Sequence, residues 1–322
     1  MCSAHAPAAY RWADEADDAA DAAAGRSAED SPAGRREATD ESGRRRRLEY
    51  PPAPEPLPVP VVDNHTHLNF RDGLVEVGVK EALDAAAAVG VDRAVQVGCD
   101  LPSSRFTVEA LEIDARLLGA VALHPNDAPL YAARGELDAA YAEIEQLAQH
   151  PRVRAIGETG LDYFRSKGDA LAVQDSSFRW HIDLAKRLGK TLQIHDRDAH
   201  DDVVRILTEE GAPEQVVFHC FSGDEELART CNENGWFLSF AGTFTFKNAD
   251  NLRRAIAMAE PSRILVETDS PFLTPHPYRG RPNASYMVPY TVRSMAEVLG
   301  ADLAELCSRL SANTEEAYGS WT

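Results

Sequence analysis

Residues 59–67 read VPVVDNHTH, an apolar, β-branched run that ends in a group of polar side chains. β-Branched residues favour strands, and a run without polar alternation is typical of a parallel strand covered by helices. His65 and His67 stand two positions apart, so on an extended chain both imidazoles leave the same face. The sequence therefore predicts a buried first strand whose carboxyl end aims two histidines at one point.

Similar apolar runs recur along the chain, separated by longer stretches with helical spacing. The predicted strands are 59–63, 94–98, 119–123, 153–157, 191–195, 216–219, 236–240 and 264–268. The helical patterns include 137–149, 178–188 and 249–259. This alternation predicts an α/β fold, and its length and rhythm match a (β/α)8 TIM barrel. A doubly wound open sheet is the alternative, but no GxGxxG motif follows the first strand to support it.

The segment before the first strand has a different composition. Residues 1–57 are rich in Ala, Asp, Glu, Arg, Ser and Pro and contain almost no large aliphatic side chains. Such a segment buries too little apolar surface to offset the entropy of ordering it. We therefore predict a disordered low-complexity arm over residues 1–57 and one barrel domain over residues 58–322. The four arginines at 44–47 are expected to be solvated.

Composition limits the class of protein. Hydrophobic residues make up 44% of the 322 residues, enough for a sizeable core, and no apolar run approaches the length of a membrane span. The five cysteines form no CxxC pair, which argues against a disulfide framework or a zinc ribbon and favours a cytoplasmic location. A net charge of −19 argues against binding nucleic acid by bulk charge.

Polar residues with metal-binding side chains follow several of the predicted strands. Glu158 follows the fourth strand, His195 ends the fifth, His219 ends the sixth and Asp269 follows the eighth. In a barrel these strand ends open into one mouth, where active sites of this fold lie. Together with the two histidines of the first strand, they are enough ligands for two divalent ions. A carboxylate such as Glu158 can bridge the ions and leave positions open for water.

Five short motifs resemble the TatD family of metal-dependent deoxyribonucleases. They are DNHTH at 63–67, GETGLDY at 157–163, IHDR at 194–197, HCFS at 219–222 and ETDSP at 267–271. The likeness extends from about residue 58 to residue 320 and implies a barrel with two metals. It places one metal on His65, His67, Glu158 and Asp269, and the other on Glu158, His195 and His219. One departure is Ala284, which stands where the family often has a glutamate.

Other residues are expected to assist these ligands. The resemblance implies that His124, at the end of the third strand, contacts the substrate. Asp63 and Glu267 are candidates to support the ligand residues through hydrogen bonds. The rim loops also carry three arginines whose guanidinium groups suit phosphate oxygens. They are Arg165, Arg197 and Arg279.

The leading functional hypothesis is a phosphodiesterase that acts on DNA. Two divalent ions (Mg²⁺, Mn²⁺ or Zn²⁺) would bind a phosphate oxygen and activate a water, with Glu158 and Asp269 as catalytic carboxylates. An acidic exterior suits an enzyme that takes a single-stranded end into the barrel mouth, and the resemblance implies 3′–5′ exonuclease activity. We expect a monomer without a membrane partner.

Two other functions remain open at this stage. The same metals could hydrolyse an amide, lactone or phosphotriester, because one barrel supports many chemistries. Several such relatives bridge their metals with a modified lysine after strand 4. Glu158 occupies that position here, which favours the nuclease. The other alternative is a metal-binding scaffold without activity, against which the complete ligand set argues.

Overall fold

The structure, a computed structural model, describes residues 5–11, 39, 43 and 45–321. Within these residues, eight parallel strands form one sheet in the order of the sequence. They are β1 Val61–Thr66, β2 Val91–Val97, β3 Leu117–Val121, β4 Val153–Asp162, β5 Thr191–Arg197, β6 Val216–Phe218, β7 Phe237–Phe240 and β8 Ile264–Val266. The sheet is nearly closed, since Thr66 and Ser270 form a parallel bridge between the end of β1 and the chain after β8. The predicted TIM barrel is confirmed.

Helices connect the strands and cover the outside of the barrel. They are α1 Val79–Ala87, α2 Leu101–Ile113, α3 Ala128–Ala133, α4 Leu137–Leu147, α5 Asp169–Leu188, α6 His200–Glu210, α7 Glu225–Asn234, α8 Asp250–Met258, α9 Val288–Leu299 and α10 Leu303–Tyr318. Asp100 caps α2 with its side chain, and Asp224 and Asp302 do the same for α7 and α10. These side chains satisfy backbone N–H groups that a helix start leaves open. None of the described helices combines the length and apolar character needed to cross a bilayer.

Apolar side chains of the strands alternate between the interior of the barrel and its outer surface under the helices. Val95 and Val97 of β2 belong to a small buried cluster, whereas Ala94 packs in the larger cluster that includes the helices. This alternation follows from the two-residue period of a strand. Strand β4 runs to Asp162, beyond the predicted end at residue 157, so its last residues project into the mouth.

Parts of the predicted disordered arm pack against the barrel, contrary to the expectation for those residues. Tyr10 is only 6% exposed, and its ring lies 4.6 Å from that of Tyr50 and 5.1 Å from that of Tyr286. Arg46, expected to be solvated, forms a buried ion pair with Asp72. Aromatic rings and one buried ion pair supply the packing that scarce aliphatic residues could not. Residues 1–4, 12–38, 40–42 and 44 lie outside the described part.

Candidate metal centre

The mouth of the barrel brings the predicted ligand residues together. His65 lies near the end of β1 and His67 immediately follows that strand, while Glu158 lies within β4. His195 belongs to β5, and His219 and Asp269 follow β6 and β8. Asp269 adopts a left-handed backbone conformation with φ of 54°, which is rare for a residue with a side chain and recurs at functional sites.

Four side chains form a first group of ligand atoms. The Nε2 atoms of His65 and His67 are 3.1 Å apart. Glu158 Oε1 lies 3.6 Å from the first of these nitrogens and 3.5 Å from the second. Asp269 Oδ1 lies 3.7 Å and 3.3 Å from the same two atoms. Both carboxylate oxygens therefore lie close to the same two imidazole nitrogens.

These separations fit a divalent ion. Ligand atoms about 2.1 Å from one ion in a tetrahedral arrangement are roughly 3.4 Å from one another. The measured range of 3.1–3.7 Å lies around that value. Imidazole nitrogens and carboxylate oxygens are also donors that zinc and manganese accept. The residues of the first group therefore fit the metal that the family resemblance implies.

The second oxygen of Glu158 faces a second group. Its Oε2 atom lies 2.8 Å from His219 Nε2 and 3.2 Å from His195 Nδ1. The two imidazole nitrogens are 3.5 Å apart. Because the two carboxylate oxygens of Glu158 face different groups, this side chain is placed to bridge two ions. The same distance criterion holds for this group, apart from the shorter contact to His219.

Hydrogen bonds fix the orientation of three of the imidazoles. His67 Nδ1 donates to the backbone oxygen of Val97 at 3.0 Å. His219 Nδ1 lies 3.2 Å from Glu267 Oε1, and His195 Nε2 lies 3.3 Å from Asp162 Oδ2. Each acceptor holds the proton on one ring nitrogen and leaves the other nitrogen free to bind metal. Glu267 thus contacts His219, one of the predicted ligand residues.

Asp63 has different contacts from those of Glu267. Its carboxylate accepts hydrogen bonds from the backbone nitrogen of Thr268 at 2.8 Å and from the Thr268 hydroxyl at 2.6 Å. Burial raises the pKa of Asp63 to about 7, although the bonds from Thr268 oppose that rise. Asp63 therefore supports the backbone just before Asp269, and it also accepts from the backbone nitrogen of His65 at 3.4 Å.

The electrostatics of the centre favour charged carboxylates. Burial alone would raise the pKa of Glu158, but the charge on His219 and the hydrogen bonds from His195 and His219 outweigh it and hold that pKa well below its ordinary range. Burial likewise opposes ionisation of Asp269, yet His67 and His65 keep its pKa low. Two buried carboxylates that stay ionised require nearby positive charge, which a divalent ion supplies more fully than neutral imidazoles.

His124 lies beside the second group, and its ring nitrogen is within 4.8 Å of ligand atoms of Glu158 and His195. Its ring is 4.4 Å from the ring of His195, and its Nε2 atom lies 3.8 Å from Glu158 Oε2. The backbone nitrogen of Asn126 donates to His124 Nδ1 at 3.0 Å, so the ring proton sits on Nε2. Burial, followed by the charge on His195, lowers the pKa of His124 to about 3. His124 is thus a neutral hydrogen-bond donor at the edge of the centre.

The three predicted arginines are exposed: Arg197 ends β5, and Arg165 and Arg279 lie in the loops after β4 and β8. Arg197 places its guanidinium 4.4 Å from the ring centre of Phe164, and Arg279 lies 4.5 Å from that of Phe246. The backbone nitrogen of Arg165 donates to Asp162 Oδ1 at 2.8 Å, while its side chain is exposed. The structure gives these arginines positions near the mouth but does not bring them into the ligand groups.

Two residues near the centre were missed by the sequence analysis. Asp162 lies four positions after Glu158 on the same strand, so its side chain shares that face and reaches His195. Cys99 follows β2, and its Sγ atom lies 3.2 Å from Glu158 Oε1. Each could have been found from its place at a strand end. Asp162 was overlooked because the strand was predicted too short.

Comparison with known proteins identifies relatives of one family. The profile of the family described as TatD related DNase matches residues 62–319. A Mycobacterium tuberculosis protein named uncharacterized metal-dependent hydrolase TatD is 46% identical over 263 residues, covering 80% of this chain and 98% of that protein. The metal-dependent hydrolase YabD of Bacillus subtilis, also named as uncharacterized, is 39% identical over 258 residues, with coverage of 80% and 98%.

Solved structures show the same architecture. The crystal structure of YjjV, a TatD homologue from Escherichia coli, has a TM-score of 0.73 and 25% sequence identity. The match covers 81% of this chain and 98% of that chain.

Proposed function

This chain belongs to the TatD family of metal-dependent hydrolases, and from that premise we propose that it hydrolyses phosphodiester bonds in DNA. The proposed activity is a 3′–5′ exonuclease that takes a single-stranded end into the mouth of the barrel. The observation that carries the proposal is the carboxylate of Glu158, whose two oxygens face separate groups of ligand atoms at 2.8–3.6 Å. Paired sites of this kind suit in-line displacement at phosphorus.

The residues that would hold the ions are those of the two groups. His65, His67, Glu158 and Asp269 would hold one ion, and Glu158, His195 and His219 would hold the other. When bound, two divalent ions supply Lewis acidity toward a phosphate oxygen and toward the attacking water. The set of imidazoles and carboxylates is compatible with Zn²⁺, Mn²⁺ or Mg²⁺.

Other side chains of the mouth have roles that follow from their positions. His124 Nε2 carries a proton beside the second group and can donate it in a hydrogen bond to a phosphate oxygen. The side chain of Asp269 is 15% exposed, and its Oδ1 atom can accept a proton from the attacking water. Arg165, Arg197 and Arg279 can contact phosphates further along the strand.

The surface charge supports action at a strand end. A net charge of −19 disfavours tight coating of a duplex, because most of the surface repels phosphates. Positive charge is needed only at the scissile phosphate, where bound ions supply it. We propose a monomer with DNA as its partner, and the cysteine pattern supports a cytoplasmic location.

One assay tests the proposal directly. Protein purified without chelators is given Mg²⁺, Mn²⁺ or Zn²⁺ and mixed with 5′-labelled single-stranded DNA, duplex DNA, RNA, a lactone and an amide. We expect a ladder of shortened 5′-labelled DNA from the single strand, abolished by EDTA. Turnover of the lactone or amide without DNA cleavage would contradict the nuclease and support the alternative hydrolase. Metal binding without turnover of any substrate would support the metal-binding scaffold without activity.

A further inference from the structure

An aromatic ring lies exposed on the rim of the metal centre. Phe164 is 54% exposed, and among the large apolar side chains that the described residues expose it is the one aromatic ring. The guanidinium of Arg197 lies over it, 4.4 Å from the ring centre. Leaving a phenyl ring in water forgoes the stabilisation that its burial would give. An exposed ring that is also held in place therefore invites a functional explanation.

The ring is tied to the metal centre through the backbone. The backbone nitrogen of Phe164 donates to Asp162 Oδ1 at 3.0 Å, and the other oxygen of Asp162 lies 3.3 Å from His195 Nε2. The backbone nitrogen of Tyr163 donates to the carbonyl of Arg197 at 2.9 Å. A single carboxylate thus positions both a ligand imidazole of the second group and the start of the loop that carries Phe164.

Arg197 belongs to the same strand as His195. It lies two positions after His195 at the end of β5, so both side chains leave the strand on one face. A guanidinium that stacks on a ring keeps its N–H donors in the plane, where they remain free for a phosphate oxygen. The pair therefore offers a stacking surface, and a hydrogen-bond donor for a phosphate oxygen, next to the second group of ligand atoms.

We propose that Phe164 and Arg197 form a stacking platform for an unpaired nucleobase of the DNA strand, beside the nucleotide whose phosphate is cleaved. The proposal rests on the proposed function and adds a subsite to it. A nucleobase is a planar aromatic group that stacks on a phenyl ring regardless of sequence. A duplex end would have to unpair before a base could reach the platform, so the platform favours single-stranded DNA.

The test compares Phe164→Ala and Phe164→Trp with the wild-type protein. The substrates are a single-stranded oligonucleotide, the same oligonucleotide with abasic nucleotides at its 3′ end, and bis(p-nitrophenyl) phosphate. Ile113→Ala is the matched control, because Ile113 is 58% exposed at the far end of α2. Loss of one stacking contact corresponds to about a tenfold rise in KM. We expect that rise for the intact oligonucleotide only, with kcat little changed and with Trp restoring the wild-type KM.

Salt dependence separates the two members of the platform. A plot of the logarithm of the DNA-binding constant against the logarithm of the salt concentration has a slope that reports the number of phosphate contacts. Arg197→Ala should lower the magnitude of that slope by about one, as expected for one lost contact, whereas Phe164→Ala should leave it unchanged. An equal rise in KM for the intact and abasic oligonucleotides, or no rise for either, would overturn the platform while DNA cleavage by the wild type preserved the proposed function. A wild-type protein that cleaves no DNA with any metal would overturn both.

Discussion

At the scale of single residues, Glu158 has the central position. Its side chain is almost fully buried, and each of its oxygens faces a different pair of histidines. Asp269, by comparison, lies against the pair formed by His65 and His67.

Glu158→Gln should remove the proposed bridge and keep the side-chain volume. With one negative charge less between them, two cations would repel each other, so at least one ion per chain should be lost. Activity should fall by several orders of magnitude, because the proposed hydrolysis uses two ions. Elemental analysis and turnover measure these effects, and circular dichroism checks the fold. Glu233→Gln, at an exposed position in α7, is the control. Two retained ions and near-normal turnover would contradict the bridging role.

At the scale of elements, α5 is joined to the mouth of the barrel by His181. This histidine is fully buried in the helix, and its Nδ1 atom donates to the backbone oxygen of Ser177 at 2.7 Å. Its Nε2 atom accepts from the backbone nitrogen of Leu123 at 3.1 Å. Leu123 directly precedes His124, so a helix on the outside of the barrel helps to position a residue of the mouth.

His181 should make stability depend on pH. Burial lowers its pKa from 6.5 to about 4, so the folded protein keeps it neutral where the unfolded chain takes up a proton. Its contribution is complete above pH 6.5 and is lost as the pH falls toward 4. The full loss is about 3 kcal/mol, since a tenfold change in proton affinity corresponds to ~1.4 kcal/mol.

Thermal unfolding at several pH values measures this effect. His181→Gln retains a donor and an acceptor but cannot titrate, so its melting temperature should fall less steeply than that of the wild type between pH 6.5 and 4. Exposed His276→Gln is the control, with an expected profile parallel to the wild type. Parallel profiles for His181→Gln and wild type would show that another group causes the acid sensitivity.

At the scale of the whole molecule, the chain before β1 covers one side of the barrel. Arg46 donates to both oxygens of Asp72, at 3.0 and 2.6 Å, and its Nε atom donates to the backbone oxygen of Gly280. Tyr10 and Tyr50 also line a cavity of about 250 Å³ that extends to His67. The packed parts of the N-terminal segment therefore reach the edge of the metal centre.

Arg46→Ala should destabilise the protein measurably. It leaves the buried carboxylate of Asp72 without its guanidinium, and breaking a buried pair typically costs about 3 kcal/mol or more. Arg47→Ala, one position away and exposed, should have little effect. Denaturant unfolding compares the two variants. Equal stability of both would mean that the segment does not hold its position in solution, and deletion of residues 1–57 would then be harmless, as composition alone suggests.

Local sequence patterns determined the barrel and most of its candidate site. Apolar runs of strand length mark each strand because burial between helices excludes polar side chains. The carboxyl ends of parallel strands meet in one mouth, so the sequence alone predicts that residues such as His65, Glu158 and Asp269 lie close together. The two-residue period also placed His65 and His67 on one face before any distance was known.

Only the tertiary structure decided contacts that no local period encodes. The assignment of each Glu158 oxygen to its own histidine pair depends on how β4 is set against β1, β5 and β6. The burial of Tyr10 and Arg46 likewise depends on partners more than 25 positions away, such as Asp72 and Tyr286. A segment poor in aliphatic residues has no periodic pattern to reveal such contacts. Its packing energy comes from a few aromatic and ionic pairs whose partners are chosen by the barrel surface.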